Sequence, residues 1–486
     1  MTPDFPQFRP VLGPMKSHSI QQTLQPLRQA TLCQIETRLQ PLLPPNCLHN
    51  NPAKAHSRSR LLPLDRTFWC WLWQILQGNT ACREVMKQLS MLLRLHGRSL
   101  AENTSAYCQS RKHIPLELLR RICSHVAQRA WRDTPPSPLW QGRRLKALDG
   151  TSVRLADTPA NQKDFPQSSS QTAGTGFPVM KIAALFCMAS GAILAHATGN
   201  LWTSELSLAA QLLGALRPQD VLIADRGFCN YALAALLSQH QVDVIARVPT
   251  TVRHIDFRQG KRLASKDALF LWKKSKRPCQ WLPWEQWLGL PQSLSVRLLR
   301  VRVRLPGIRV REITLMTTLL DPTRYPAKAI AQAYQLRWRQ ELCFDDLKTT
   351  LEMAHLKSLS PAMARKELCM FFIAHNLLRC LMAQAAAQAQ IQPQRISFKG
   401  TLDGLRQCSI GMAQAKSKAT RVAVWEQFIS GLGDNPVPER PGRLEPRAVK
   451  RIYKYEKLNT HRHRYKDRPS RNHRRRQQRK RSYALI

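Results

Sequence analysis

An α/β architecture is predicted for this chain: a mixed-sheet domain interrupted by a β-rich insertion, preceded by a helical N-terminal domain and followed by a basic, disordered C-terminal tail. Three observations predict it. Apolar residues recur at helical spacing through the first 140 residues, short apolar runs and alternating strands take over after Pro138, and a long helical pattern returns only near Ala327.

The N-terminal domain covers 1–140. Asp65 is placed to cap a helix over Arg66–Gln77, with Phe68, Trp69, Leu72, Trp73 and Leu76 on one face and Gly78 as its stop. Thr80 opens a second helix to Leu95, a third follows Thr104 and carries Arg111 and Lys112, and an amphipathic segment runs from beyond Pro115 to about Trp131. Two short helices about a Gly97 turn, the second polar and basic, fit either a helix-turn-helix entering a DNA groove or an ordinary helical bundle. Pro41–Arg60 reads as a linker or loop.

The first part of the core, 141–249, begins with a strand over Leu145–Arg154 and a hairpin, Val179–Met188 with Ala192–Gly199, that turns at Ser190 and Gly191. A helix over Ser204–Leu216, a buried strand over Val221–Ala224, a helix over Tyr231–Gln239 and a strand over Val242–Val248 complete it. The insertion, 250–325, holds a basic Trp-bearing stretch and two alternating strands, Ser295–Leu305 and Val310–Leu319, turned by Pro306 and Gly307. The last core helix, about Ala327–Leu356, falls in 326–360; a helical region over 361–440, with a buried run Met370–Ile373, and the tail over 441–486 follow.

Composition narrows the function. The chain has 75 Lys and Arg against 31 Asp and Glu, a net charge of +44, and the tail accounts for only 17 of those cations against three acids. Basicity spread over folded domains points to a polyanionic partner. The 13 cysteines show no Cys-x-x-Cys and no zinc-finger spacing, so neither a disulfide framework nor a structural zinc is encoded, and a reducing cytosol fits. The first residues lack the basic and apolar regions of a signal peptide. The most membrane-like stretch, Ile182–Thr198, is broken by Ser190 and Gly191 and contains His196, so a hairpin is expected there and no membrane partner.

The residues suited to chemistry are few. Asp149, in Leu-Asp-Gly-Thr, lies inside the first core strand, where an acid is disfavoured and its charge needs compensation. Asp225 directly follows Val-Leu-Ile-Ala, at the C-terminal end of a central strand, where open sheets present functional groups. Two strands of one sheet can bring both within reach of a metal. In the late helix, Tyr334, Arg337, Glu341 and Lys348 fall within a roughly 60° arc of one face. That stripe is either a solvated face with an Arg337–Glu341 pair or a phosphate grip around a third carboxylate. Three carboxylates holding two Mg²⁺, with Mn²⁺ as a substitute, would supply what phosphodiester cleavage needs, and no organic cofactor is implied. Asp345 and Asp346 follow closely, and Asp345 competes with Glu341 as the third acid, although only Glu341 keeps the spacing to the other three.

Asp149 in Leu-Asp-Gly-Thr, Asp225 in Ala-Asp-Arg-Gly-Phe and Tyr334-x2-Arg337-x3-Glu341-x6-Lys348 together resemble the catalytic signature of bacterial insertion-sequence transposases of the DDE class, in the branch marked by a Tyr-Arg-Glu-Lys motif. The resemblance runs from about Leu145 to Lys357. It implies a ribonuclease-H-like core with a β-rich insertion. It also implies that Asp149, Asp225 and Glu341 are catalytic metal ligands, and that Tyr334, Arg337 and Lys348, with Arg226 as a weaker addition, contact DNA phosphates. A tryptophan of the insertion against an extruded base is a further implication, for which Trp272, Trp281, Trp284 and Trp287 compete.

The function so implied is Mg²⁺-dependent cut-and-paste transposition: binding of double-stranded DNA at the element's terminal inverted repeats, strand cleavage, and joining to target DNA. The working unit is a homodimer on DNA in the bacterial cytoplasm, at the nucleoid. A catalytically silent DNA-binding repressor and a structure-specific DNA nuclease are the competing readings. The acidic triad argues against the first; the insertion and the Tyr-Arg-Glu-Lys face argue against the second.

Overall fold

The structure is a computed structural model that describes residues 35–48, 62–94, 103–134, 139–172, 174–249, 255–303 and 311–438. The Gly97 turn, most of Pro41–Arg60, the Pro306–Gly307 turn and the tail lie outside them. The chain divides into two compact units, one of 1–114 with 402–431 and one of 115–401 with 432–486.

In the first unit, helices α1 (Leu64–Leu76), α2 (Cys82–Arg94) and α3 (Ser105–His113) bury Cys70, Val85, Met86, Leu89 and Tyr107. α1 starts earlier than expected: Pro63 is its cap residue and Asp65 sits in its first turn, because a proline has no N–H to leave unsatisfied there. On α3 the guanidinium of Arg111 turns inward, 4.9 Å from the Trp71 ring and 5.0 Å from the Tyr107 ring, and donates to Gln74 Oε1 at 3.2 Å. That cation serves the bundle and is not displayed for a groove.

The second unit takes helix α4 (Leu116–Arg132), the amphipathic segment expected to close the N-terminal domain. Its apolar face, Leu119, Ile122, Val126 and Ala130, packs on the sheet and on a long central helix instead. Asn376 of that helix explains the attachment, since its side-chain amide donates to Cys123 O at 3.2 Å and Ile193 O at 2.9 Å and accepts from Ile193 N at 2.8 Å.

The sheet is built from β1 (Arg144–Leu155), β2 (Val179–Cys187), β3 (Ile193–Gly199), the short helix α5 (Glu205–Ala210), β4 (Asp220–Ala224), helix α6 (Tyr231–Gln239) and β5 (Asp243–Arg247). Its first five strands lie in the order β3-β2-β1-β4-β5; β1–β2 and β2–β3 are antiparallel, β1–β4 and β4–β5 parallel. Gly191, at φ +74, makes the β2–β3 turn.

The stretch 250–325 contributes β6 (Lys261–Ala264), β7 (Asp267–Lys273), helix α7 (Trp284–Leu288), β8 (Ser293–Val303) and β9 (Arg311–Thr317). β6 and β7 were not anticipated from the sequence. These strands do not form a separate body: β9 pairs antiparallel with β5, so the sheet continues β5-β9-β8-β7-β6.

Central strands are buried on both faces. Leu148, Leu222, Ala224 and Val244 belong to one core and their neighbours Ala147, Val221, Ile223 and Ile245 to the other, as a period of two requires.

The predicted continuous helix over Ala327–Leu356 is instead α8 (Ala327–Gln335), α9 (Trp338–Asp345) and a π-helical turn over Asp346–Thr350, after which β10 (His355–Leu356) pairs with β1. The central helix is α10 (Pro361–Gln388), followed by α11 (Phe398–Gln414) and α12 (Lys418–Asp434). Among the described residues α10, and not Ile182–Thr198, is long and apolar enough to cross a membrane, yet its most apolar window is 94% buried inside the fold. It is the spine of the core.

Candidate active site

Two strands and one helix converge on a single face of the sheet. The parallel register pairs Ala147 with Ile223 and Leu148 with Ala224, so the following residues, Asp149 and Asp225, are neighbours where that pairing ends. Both share the side of Ala147 and Ile223, and the same core holds Ile330, Ala333 and Tyr334 of α8. The apolar part of α8 is therefore what lays the Tyr334-to-Glu341 stretch over the acids.

Arg337 joins them. It donates to Glu341 Oε1 at 3.1 Å. Burial opposes its charge, but Tyr334, Asp225, Asp149 and Glu341 outweigh burial and hold its pKa above the ordinary value. Asp149 is pushed up to about 6, first by burial; the Gly150 N–H, 2.8 Å from Asp149 Oδ1, and Arg337 pull it down, while Asp225 and Glu341 push it up. Burial likewise lifts the Tyr334 phenol to about 12 against the pull of Arg337. Asp149, Asp225, Glu341, Tyr334 and Arg337 thus form one electrostatic group.

Other expected residues lie further out. Lys348 is half-buried on the π turn, where burial lowers its pKa. Arg226 is exposed on the 3₁₀ turn immediately after Asp225. Asp345 is exposed and bonded to Thr349 Oγ1 at 2.8 Å, and Asp346 pairs with Arg379 at 2.8 Å, so neither acts on Asp149 as Glu341 does. Of the tryptophans, Trp287 is buried and Trp272 packs edge-on against Tyr231; Trp281 is half-buried and Trp284 is 55% exposed.

Two residues escaped the sequence reading. Glu205, at the start of α5, brings its carboxylate to the Leu148 face of β1, opposite Asp149: a β-carbon placed on Gly150 would lie 3.3 Å from Glu205 Oε1. The LDGT glycine was the available signal, since a missing side chain leaves room for another group. Arg247, ending β5, acts electrostatically on Tyr334. The donors here are carboxylate oxygens, which suit a hard divalent cation. Among the described residues, however, no three His, Cys, Asp or Glu side chains converge closely enough to hold a metal ion, and Arg337 supplies the positive charge between the acids.

The transposase DDE domain family matches residues 140–377. The chain is 26% identical over 406 residues to the transposase InsG of insertion sequence element IS4 from Escherichia coli (strain K12), covering 82% of this chain and 88% of the relative. It is 25% identical over 295 residues to a probable transposase for insertion sequence element IS5377 from Geobacillus stearothermophilus, covering 60% and 71%. A solved piggyBac transposase synaptic complex with hairpin DNA aligns over 85% of this chain and 84% of its own at 8% identity and a TM-score of 0.39, too loose a likeness to build on. From Trp140 to Leu377, around the paired strand ends of Asp149 and Asp225, this chain is a member of the transposase DDE domain family, alongside the transposases of bacterial insertion sequences.

Proposed function

We propose that the chain cuts DNA at the terminal inverted repeats of its element and joins the freed end to target DNA, with Asp149, Asp225 and Glu341 as the catalytic acids. The observation that carries this reading is the adjacency of Asp149 and Asp225 on one sheet face, with Tyr334 and Arg337 laid over them. The strand order β3-β2-β1-β4-β5 supports a ribonuclease-H-like core.

The three carboxylates would hold two Mg²⁺ ions, which supply neutralisation of the scissile phosphate and activation of the attacking oxygen. For the acids to share a cation, Glu341 must leave its pairing with Arg337. The freed guanidinium then offers two donors to a DNA phosphate, beside the phenol of Tyr334 and the ammonium of Lys348. Arg226, exposed next to Asp225, extends the cationic rim. Burial around Asp149 keeps water from competing for the same positions. A homodimer holding two DNA ends would be the working unit.

The test is incubation of the purified chain with Mg²⁺ and duplex DNA carrying the element ends. Cleavage with joining is the expected result; cleavage alone indicates a nuclease, and end binding without cleavage a repressor. Neither of the last two is compatible with the proposal.

A further inference from the structure

The second unit has a groove of about 1840 Å³ that does not include the acid face. It runs between α4, the start of β1, the segment around Gly214–Arg217 and the end of α10. Seven of its lining residues are Lys or Arg, and one, Glu117, is acidic.

Internal pairing accounts for part of that charge. Arg144 and Lys146 both reach the buried Asp220, at 2.8 and 2.6 Å, and Arg120 lies 3.7 Å from Glu117. Arg121, Arg132, Arg217 and Arg339 make no ion pair among the described residues, and the first three are exposed. Trp131, 39% exposed, adds an aromatic surface, and Gln128, Gln390 and Gln392 add neutral donors. A groove with unpaired guanidinium groups, amides and an open indole suits a phosphodiester backbone with its bases.

Its position is informative. Lys146 and Asp149 are three residues apart on β1, about 10 Å at ~3.3 Å per residue, and Leu336 and Arg339 on its wall flank Arg337 of the acid face. Arg337 turns towards the acids and Arg339 towards the groove, so one helical turn borders both.

We infer that this groove is a second DNA-backbone site, holding a length of DNA other than the phosphate at the acid face. This rests on the reading that the chain acts on DNA.

The test uses the full chain with two probes, a random-sequence 30-base-pair duplex and a 30-nucleotide single strand, titrated over a series of salt concentrations. Arg121→Glu/Arg132→Glu/Arg217→Glu is compared with wild type and with Lys163→Glu/Lys399→Glu/Lys416→Glu, which removes the same charge from exposed lysines outside the groove. Melting curves establish that each variant is folded. The groove variant is expected to bind at least about tenfold more weakly at 0.1 M salt, and to lose roughly two to three units of log K against log salt slope on the duplex. The control should change by less than a third of that, and the probe that loses more identifies the strand form the groove takes. Equal losses in the two variants, or unchanged binding in the groove variant, overturn the proposal and leave an acidic protein segment as the occupant the charge would suit. A wild-type chain that binds neither probe at low salt overturns the DNA-acting reading as well.

Discussion

The two ends of β4 carry the same residue type in opposite circumstances. At the start, Asp220 is fully buried and fully answered: Arg144, Lys146 and the Arg217 N–H, at 2.8, 2.6 and 2.8 Å, satisfy its oxygens. Just beyond the other end, Asp225 stands beside Asp149 with the shared Arg337 as cation, while Asp149 is lifted to about 6. A charge satisfied inside the fold is part of the scaffold. One left in want of a cation is available for chemistry.

The largest expected effect is on the second end. Asp149→Asn, Asp225→Asn and Glu341→Gln should each lower Mg²⁺-dependent cleavage by on the order of 10³-fold or more, with end binding retained in gel shifts. Binding lost in step with cleavage would make these acids structural and erase the contrast. Asp220→Asn should do the reverse. It strands Arg144 and Lys146, costs about 3 kcal/mol in denaturant unfolding, and leaves cleavage per folded molecule intact.

The third expectation concerns pH. The folded pKa of Asp149, about 6, lies above its unfolded value of ~3.9, so the native state holds the proton more tightly. Stability contributed by the neutral form is present below the unfolded value and lost as pH rises towards 6. Asp149→Asn should therefore melt higher than wild type at pH 7, by no more than about 3 kcal/mol, and match it near pH 4. Equal melting at both values would mean that Asp149 is not held against its charge.

Arg337→Lys removes a planar two-point grip and should slow cleavage roughly 10- to 100-fold, the loss of about 1.5–3 kcal/mol of charged hydrogen bonding. If only the i,i+4 pair with Glu341 matters, cleavage stays near normal and stability falls by less than about 1 kcal/mol. Asp345→Asn, which loses only an exposed bond to Thr349, should change cleavage less than about twofold.

The legible parts of this molecule were those written in local pattern. The β2–β3 hairpin turned where Ser190 and Gly191 interrupt apolar runs, and Asp225 stood out because four apolar residues lead straight to it. What stayed hidden depends on distance through space. β9 meets β5 across some seventy residues, and no periodicity encodes that pairing. α4 has the same amphipathic pattern whether it closes one unit or packs on another; Asn376, far along the chain, decides it. Glu205 looks like an ordinary first-turn acid until its carboxylate is seen beside Gly150. The π turn at Asp346 is also invisible to a helical wheel, because the Asp346–Arg379 pair that accompanies it is a tertiary contact.

The union of β9 with β5 also limits how the protein can be dissected. β5 is five residues long, with Val244, Ile245 and Ala246 buried, and on one side its backbone is covered only by β9. Excising 255–317 and bridging the gap with a short linker would leave that apolar strand with an open edge, a template for intermolecular pairing. Such a deletion should yield aggregates in place of a trimmed enzyme. A viable minimal version would have to keep β9 or replace its edge with charge.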